Sequence, residues 1–344
     1  MSTMSLPAQA EKKTAIRKPR IGFLGVGWIG RDRMSAMIES ECIEPAVICD
    51  PDGQMAQAAA ELAPYAHVSQ SFEEMLQEDL DGVVIATPSA MHATQAIQAL
   101  KKGKAVFCQK PLGRSAHEVR EVIAAARKAN RLLGVDLSYR YLRGIPTLRS
   151  IIQAGDIGDV YGINCIFHNA YGPDKEWFYD PRRSGGGCVI DLGIHLVDLA
   201  LWMLDFPDVT GVQSRVFSQG RPLNRRSVVE DYGVAQIDLD TGAVLNLSCS
   251  WGLQAGCDAI IELSIYGTRG GVSVKNVDGS FYDFTVERFH GTHREILHSP
   301  PDAWGGRAGV VWARRLAMDP SFHHEIDHAT SVANVIDLLY ENHR

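Results

Sequence analysis

A glycine motif near the start of the chain constrains its fold more than any other feature. Residues 25–30 read G-V-G-W-I-G, follow the apolar run 21–24 and precede a helix-like stretch at 31–40. In a βαβ unit the three glycines of such a motif permit a tight turn, the approach of a pyrophosphate and close helix–strand packing. The N–H groups at the start of the helix favour bound phosphate. The cofactor-binding residues predicted from this loop are Gly25, Gly27, Trp28, Ile29 and Gly30.

A carboxylate at the end of the next apolar run predicts which dinucleotide is bound. Asp50 follows the run 45–49 and stands twenty residues after Gly30. An acid in this place accepts hydrogen bonds from the adenosine ribose hydroxyls and repels a 2′-phosphate. The sequence therefore predicts NAD as the cofactor and makes NADP the less favoured one.

The pattern of apolar and polar residues changes near residue 138. Before it, fully apolar runs at 21–25, 45–50, 82–87, 104–108 and 132–135 alternate with helix-like stretches, which indicates a doubly wound parallel sheet. After it, turn-separated β-rich runs at 212–217, 233–239, 243–251, 260–266 and 271–275 indicate an antiparallel sheet. We predict an α/β fold with a disordered leader at 1–19, a Rossmann domain at 20–138, and an α+β domain for substrate binding and oligomerisation at 139–344.

Composition limits the classes of partner. Lys and Arg number 34 against 41 Asp and Glu, a net charge of −7 that gives no general reason to bind nucleic acid. No apolar run reaches the roughly 18 residues of a membrane span, and the first 19 residues lack the apolar centre of a signal peptide. Seven irregularly spaced cysteines are typical of reduced thiols, so we expect a cytoplasmic protein.

Two further segments carry polar chemistry. Lys110 lies in Gln109-Lys110-Pro111, directly after an apolar run, and ligands bind at such strand ends in parallel sheets. Asp191 and His195 follow a triple glycine and are four residues apart, so they would share one helix face, with Asp198 placed to orient His195. A lone histidine on an apolar helix is more often a core residue. Here the aspartate four residues earlier, and a glycine run that would let a ligand approach the start of the helix, favour a functional histidine.

Together with Ala86-Thr87-Pro88 and His92, these segments resemble the glucose–fructose oxidoreductase, inositol dehydrogenase and rhizopine-catabolism (Gfo/Idh/MocA) family over residues 20–205. The resemblance implies a Rossmann domain followed by a domain with an open, mostly antiparallel sheet. It implies hydride transfer between a nicotinamide and a hydroxyl or keto carbon of a sugar, cyclitol or related polyol. It also implies that Lys110 holds the reacting hydroxyl, that His195 is the general acid/base, and that Asp191 is its polar partner.

Position and resemblance together complete the list of candidate residues. The further cofactor contacts are Thr87, Pro88, His92, Gln109 and Lys110; the substrate contacts are Lys110, Tyr139, Arg140, Trp177, Asp191 and His195. The family usually has Glu-Lys-Pro where this chain has Gln109, so any Coulombic tuning of the lysine by that glutamate is lost. Tyr139 and Arg140 are as well explained by packing between domains, and Trp177 by a solvated loop.

Three alternatives stay open. Residues 324–328 match the zinc-protease motif H-E-x-x-H, but only Glu341 and His343 lie downstream as a third ligand, so a polar helix face and no metal is the favoured interpretation. A second is a dinucleotide-binding sensor, which the presence of Lys110, Asp191 and His195 disfavours. The third is an enzyme that uses tightly bound NAD in an internal redox cycle leading to elimination or hydrolysis.

The second domain also predicts self-association. Its strands carry alternating apolar residues that need covering, namely Val244, Leu245, Leu247, Ile260, Ile261, Leu263 and Ile265. A second copy is a natural cover, and we expect a homodimer or homotetramer.

Overall fold

Two β-sheets of different kinds organise the chain, whose computed structural model describes residues 17–223 and 227–341. Most of the predicted leader, residues 1–16, lies outside the described residues. The first sheet is entirely parallel, with the strand order β3-β2-β1-β4-β5-β6. Its strands are β1 (Arg20–Leu24), β2 (Glu44–Cys49), β3 (His67–Val68), β4 (Gly82–Ile85), β5 (Ala105–Cys108) and β6 (Leu133–Val135).

Helices cover both faces of this sheet and connect its strands. They are α1 (Trp28–Glu39), α2 (Gly53–Ala60), α3 (Phe72–Met75), α4 (Ser89–Lys101) and α5 (Ala116–Ala129). Ile21 and Phe23 of β1 point into one apolar core and Leu24 into the other, as strands buried on both faces require. The doubly wound parallel sheet is therefore confirmed. Its strand order reverses between β1 and β4, and ligands bind beyond the carboxyl ends of the strands at such a point.

The second sheet is mixed and has nine strands, in the order β15-β14-β13-β12-β7-β11-β10-β8-β9. They are β7 (Val160–Asn169), β8 (Val209–Ser218), β9 (Arg221–Pro222), β10 (Tyr232–Leu239), β11 (Val244–Ser250), β12 (Ala259–Gly267), β13 (Gly271–Asn276), β14 (Phe284–His290) and β15 (His293–His298). Among these described strands, β11 and β7 pair in parallel and the other neighbours are antiparallel. The prediction of a mostly antiparallel sheet is confirmed.

The apolar face of the second sheet is covered by the chain's own helices. These are α6 (Ile145–Gln153), a π-helical segment (Val189–Gly193), α8 (Ile194–Met203) and α10 (His328–Glu341), whereas the short α7 (Pro181–Ser184) packs against α4. Leu245, Leu247, Ile261, Leu263 and Ile265 are buried in one core with residues of α8 and α10. The expectation that these side chains need a partner chain is wrong. The opposite, outer face carries Asn164, Gln236 and Asn246 around a depression of about 750 Å³.

The C-terminal part of the chain returns to the first sheet. Helix α9 (Arg307–Met318) places Trp312 in the core of the parallel sheet, with its ring centroid 5.7 Å from that of Phe107 on β5. Part of the predicted second domain, residues 139–344, therefore packs against the first sheet as well. The helical stretch Pro181–Met203 is long and apolar enough to cross a membrane by composition, but most of it is buried, as in the core helix of a folded domain.

Candidate active site

The glycine loop joins β1 to α1 with a space beside it. Gly25 has a φ of +79°, and a Cβ there would lie 2.8 Å from the carbonyl of Ala86 after β4. A Cβ on Gly30 would lie 2.1 Å from the carbonyl oxygen of Gly25, whereas a Cβ on Gly27 would meet nothing within 4 Å. No side chain caps α1, and its first turn carries no acid. The open side of Gly27 and the uncapped N–H groups fit the pyrophosphate of a dinucleotide.

The other residues predicted from this loop lie around the same space. Trp28 is 66% exposed and Ile29 is half-buried. At the end of β2, Asp50 accepts hydrogen bonds from the backbone N–H of Val26 (2.7 Å) and of Asp52 (2.9 Å). These bonds hold the carboxylate beside the loop, where the adenosine ribose of a bound dinucleotide would lie.

The residues after β4 divide between surface and interior. Thr87 and Pro88 are half-buried at the end of the strand. His92 is 1% exposed, and its Nε2 and Nδ1 lie 2.6 Å and 2.7 Å from the backbone oxygens of Thr87 and Pro111. The prediction that His92 contacts the cofactor is wrong, because backbone carbonyls occupy both ring nitrogens. The ring instead ties the end of β4 to the Lys110-Pro111 peptide.

Lys110, just after β5, contacts Asp191 in the π-helical segment. The Lys110 Nζ donates to Asp191 Oδ1 (2.6 Å) and to the Asp191 backbone oxygen (2.8 Å). The second carboxylate oxygen, Oδ2, accepts from the indole Nε1 of Trp251 (3.1 Å). The Lys110 and Asp191 side chains are 18% and 15% exposed, so a ligand in the cleft can reach both.

His195 lies in the same cleft without a hydrogen-bond partner for its Nδ1. That nitrogen is buried and unpaired within the described part of the chain, and the ring centroid lies 5.0 Å from that of Tyr139. Burial, and then the nearby cations Lys110 and Arg33, hold the pKa of His195 well below its ordinary value. A neutral imidazole that lies beside an ammonium group can accept a proton at neutral pH.

An ion pair between Arg140 and Asp198 of α8 corrects the expected roles of both residues. Arg140 donates to both carboxylate oxygens of Asp198, at 2.8 Å and 2.5 Å, and its guanidinium lies over the Trp202 ring. Asp198 therefore does not orient His195, and Arg140 is held in a buried pair rather than directed at substrate. Tyr139 is buried in an aromatic wall with His195 and Trp304.

Trp177 reaches the site through other aromatic rings. It stacks on Phe178 with centroids 3.8 Å apart, and Phe178 meets Trp251 edge-on at 6.2 Å. Because Trp251 donates to Asp191, Trp177 belongs to the wall that supports the carboxylate. Substrate contacts of Tyr139 and Trp177 stay predictions.

A buried network behind Lys110 was not predicted from the sequence. Gln109 donates its side-chain amide to Asp136 Oδ2, the atom that also accepts from Arg33 Nε (2.6 Å), while Ser138 Oγ donates to Oδ1 (2.6 Å). The Gln109 side chain thus points inward, not at a cofactor as predicted. A glutamate there would place two carboxylates together, so a neutral amide suits this chain. Asp136 directly follows an apolar strand, as Lys110 does, so its position could have indicated a functional residue. Nothing in the sequence indicates a role for Arg33.

The H-E-x-x-H match does not form one helical face. His324 and Glu325 lie in a short 3₁₀ segment (His324–Asp327), and His328 begins α10. Glu325 pairs with Arg315, while His328 stacks on Phe206 with centroids 4.0 Å apart. Among the residues that the structure describes, no group of three or more His, Cys, Asp or Glu side chains is arranged to hold a metal ion.

Comparison with known proteins matches both parts of the chain. A family model described as "Oxidoreductase family, NAD-binding Rossmann fold" matches residues 19–137, and one described as "GFO/IDH/MocA C-terminal domain" matches residues 145–273. The D-glucoside 3-dehydrogenase of Escherichia coli (strain K12) is 27% identical over 268 residues, covering 74% of this chain and 76% of that protein.

Two solved structures share the fold over nearly the whole chain. GenD2 from gentamicin A biosynthesis, in complex with NAD, has a TM-score of 0.80 at 24% identity and covers 98% of this chain and 97% of its own. KijD10, a 3-ketoreductase from Actinomadura kijaniata in complex with NADP and TDP-benzene, has a TM-score of 0.81 at 19% identity, with 95% and 98% covered.

Proposed function

The chain belongs to the GFO/IDH/MocA family of oxidoreductases, and from that premise we propose that it transfers a hydride between NAD(P) and a hydroxyl or keto carbon of a sugar, cyclitol or related polyol. One observation carries the proposal: Lys110, which follows β5 of the parallel sheet, contacts Asp191 and lies close enough to His195 to lower its pKa, and both partners come from the helical segment packed on the second sheet. The relative that acts as a D-glucoside 3-dehydrogenase supports the substrate class.

Each of the three side chains has a distinct task in this reaction. The nicotinamide, when bound, supplies the hydride acceptor or donor. The Lys110 ammonium, fixed by Asp191, stabilises negative charge on the reacting oxygen as its proton leaves. His195 is neutral, and since its Nδ1 is buried, Nε2 is the atom placed to take that proton during oxidation and return it during reduction.

We propose NAD rather than NADP as the preferred cofactor. Asp50 supports this choice because its carboxylate, held by Val26 and Asp52, would repel a 2′-phosphate. Structures of this fold hold either dinucleotide, so the fold alone does not decide. The measurement is the ratio of kcat/KM for NAD to that for NADP, which we expect to exceed about 10.

We also propose that a second copy covers the outer face of the second sheet, and that the protein works in the cytoplasm. Of the residues lining the outer depression, Arg215 alone is charged, so the face can meet its copy without strong repulsion. Light scattering should give a mass of at least twice 37.7 kDa, and Asn246→Lys should lower it. The seven cysteines are all unpaired, which suits a reducing compartment.

The direct test is nicotinamide absorbance change with purified protein, NAD or NADP, and a panel of sugars and inositols in both directions. Lys110→Met should lower kcat/KM by about 10²–10³-fold, since it removes the donor to the developing charge. Lys104→Met is the matched control, because Lys104 Nζ donates to Glu78 O, away from the cleft. Turnover that survives in Lys110→Met would contradict the role of Lys110. No turnover, with NAD retained through desalting, would indicate the internal redox cycle instead.

A further inference from the structure

The start of the helical segment that carries Asp191 and His195 is held by two residues from distant parts of the chain. Glu230 lies just before β10, is 3% exposed, and accepts at its carboxylate from the N–H groups of Gly187 and Val189, each at 2.9 Å. Tyr340 lies near the end of α10 and donates its hydroxyl to Glu230 Oε1 (2.8 Å).

Together the two residues bind four consecutive backbone N–H groups. Besides Gly187 and Val189, Cys188 donates its N–H to the Glu230 backbone oxygen (3.1 Å), and Ile190 donates its N–H to the Tyr340 hydroxyl (3.2 Å). Asp191 is the first residue of the segment to bond within it, to Gly187 O (3.1 Å). The first N–H groups of a helix lack partners inside it, so they must find them elsewhere. Here the start of the segment is closed by protein groups.

Two of the three consecutive glycines leave room for these two residues. A Cβ on Gly186 would lie 2.0 Å from the Tyr340 hydroxyl, and a Cβ on Gly187 would lie 1.9 Å from the Glu230 backbone oxygen. The expectation that the glycine run lets a ligand approach the helix is therefore wrong, because Glu230 and Tyr340 occupy that approach.

The next residue along the chain supports Asp191 from its other side. Asp231 accepts at its backbone oxygen from the N–H of Trp251 (2.7 Å), and the Trp251 indole donates to Asp191 Oδ2. Two adjacent residues, Glu230 and Asp231, thus fix both the backbone before Asp191 and the indole that holds its carboxylate.

We propose that Glu230 and Tyr340 are positioning residues for the hydride-transfer reaction, which hold Asp191 and His195 at fixed places relative to Lys110. The proposal rests on the function proposed above. It makes the C-terminal helix part of the active-site support, although its residues are about 150 positions from Asp191, as the Tyr340–Ile190 bond illustrates. Displacement of reacting groups by about 1 Å can lower a rate about 100-fold, which sets the scale of the effect.

The test uses Glu230→Gln and Tyr340→Phe in the full-length protein, with Asp337→Asn as a matched control. Asp337 lies one turn before Tyr340 on α10 and accepts from the N–H of Ala116 at the start of α5, so the change perturbs the same helix at its contact with α5. We expect kcat to fall by about 10- to 100-fold in Glu230→Gln and about 10-fold in Tyr340→Phe, with KM and the Kd for NADH within about twofold. The control should keep kcat within about twofold of wild type.

Two readouts separate positioning from general loss of structure. The primary deuterium isotope effect with 4-deuterated NADH should rise in both variants, because hydride transfer itself becomes slower, whereas a smaller active fraction leaves it unchanged. Backbone amides in the peptide 186–195 should exchange with deuterium faster in Glu230→Gln, because an amide oxygen accepts more weakly than a carboxylate and the new NH₂ group cannot accept from Gly187 as the second carboxylate oxygen does.

Each outcome decides the proposal. If both variants fold and turn over within about twofold of wild type, the positioning role is overturned. If Glu230→Gln does not fold, Tyr340→Phe decides by its kcat and isotope effect. If wild type transfers no hydride to any substrate, the proposed function fails, and amide exchange then decides alone whether Glu230 holds the segment: unchanged exchange in 186–195 would overturn the proposal.

Discussion

Lys110 and His195, one from each half of the cleft, are held by opposite means. On the side of the parallel sheet, polar groups are paired: Lys110 with Asp191, and the Gln109 amide and Arg33 with Asp136. On the side of the second sheet, His195 packs against aromatic rings and leaves Nδ1 unpaired within the described chain. Paired charges fix the geometry of the site before a ligand binds. An imidazole nitrogen without a hydrogen-bond partner stays free to exchange a proton with that ligand. The cleft therefore separates the task of orienting the substrate from that of moving a proton.

The halves are nevertheless coupled through charge. After burial, the causes that lower the pKa of His195 are Lys110 and Arg33, both from the parallel-sheet side. The cation that stabilises the reacting oxygen thus also keeps the base neutral. Changes on one side should be measurable on the other.

The largest expected effect comes from removing the proton acceptor. His195→Asn should lower kcat by about 10²–10⁴-fold, the usual contribution of a positioned acid or base. The affinity for NADH should change little, because the glycine loop and Asp50 lie on the other sheet. Steady-state kinetics and a fluorescence titration with NADH measure the two quantities.

His168→Asn is the control for this change. The Nδ1 of His168 lies 2.8 Å from Ser250 Oγ on the second sheet, and its ring stacks on Tyr232. The His168→Asn variant therefore removes a histidine that lies outside the cleft. Comparable losses of kcat in both variants would mean that His195 acts through packing and not as a base.

A smaller effect is expected from restoring the family's residue before Lys110. Gln109→Glu would place a second carboxylate against Asp136 in a buried site, so we expect the free energy of unfolding at pH 8 to fall by about 1–3 kcal/mol. The pKa of the new carboxyl should be raised by burial and by Asp136. A raised pKa in the folded state means that stability is regained as the pH falls toward 5. Urea unfolding at both pH values measures this.

The matched control is Gln95→Glu. Gln95 is as buried as Gln109, at 6% and 7% exposure, but its Oε1 accepts from the Thr87 hydroxyl (2.6 Å), which a carboxylate oxygen can also do. We expect a smaller loss of stability in this variant. An equal loss in both would contradict the specific conflict with Asp136.

The sequence predicts those site residues whose signal is local. The glycine loop, Asp50 and Lys110 stand next to strand ends, and Asp191 and His195 share one short segment, so spacing is enough to find them. Glu230 and Tyr340 bind N–H groups 43 and 150 positions away, and Gln109 meets Asp136 27 positions on, so only the fold brings these groups together. The errors have the same origin. Asp198 is near His195 in sequence but pairs with Arg140, 58 positions away.

The smallest expected effect tests the charge coupling itself. Because the pKa of His195 is lowered, kcat/KM for oxidation should stay constant as the pH falls past the ordinary histidine pKa of about 6.5, and decline only when the imidazole is protonated at lower pH. Loss of the ammonium in Lys110→Met removes one cause of the lowered pKa. The low-pH decline of its residual activity should move to higher pH, although burial, the larger cause of the lowered pKa, stays. If this decline moves to lower pH or stays in place, the charge of Lys110 does not influence the protonation of His195.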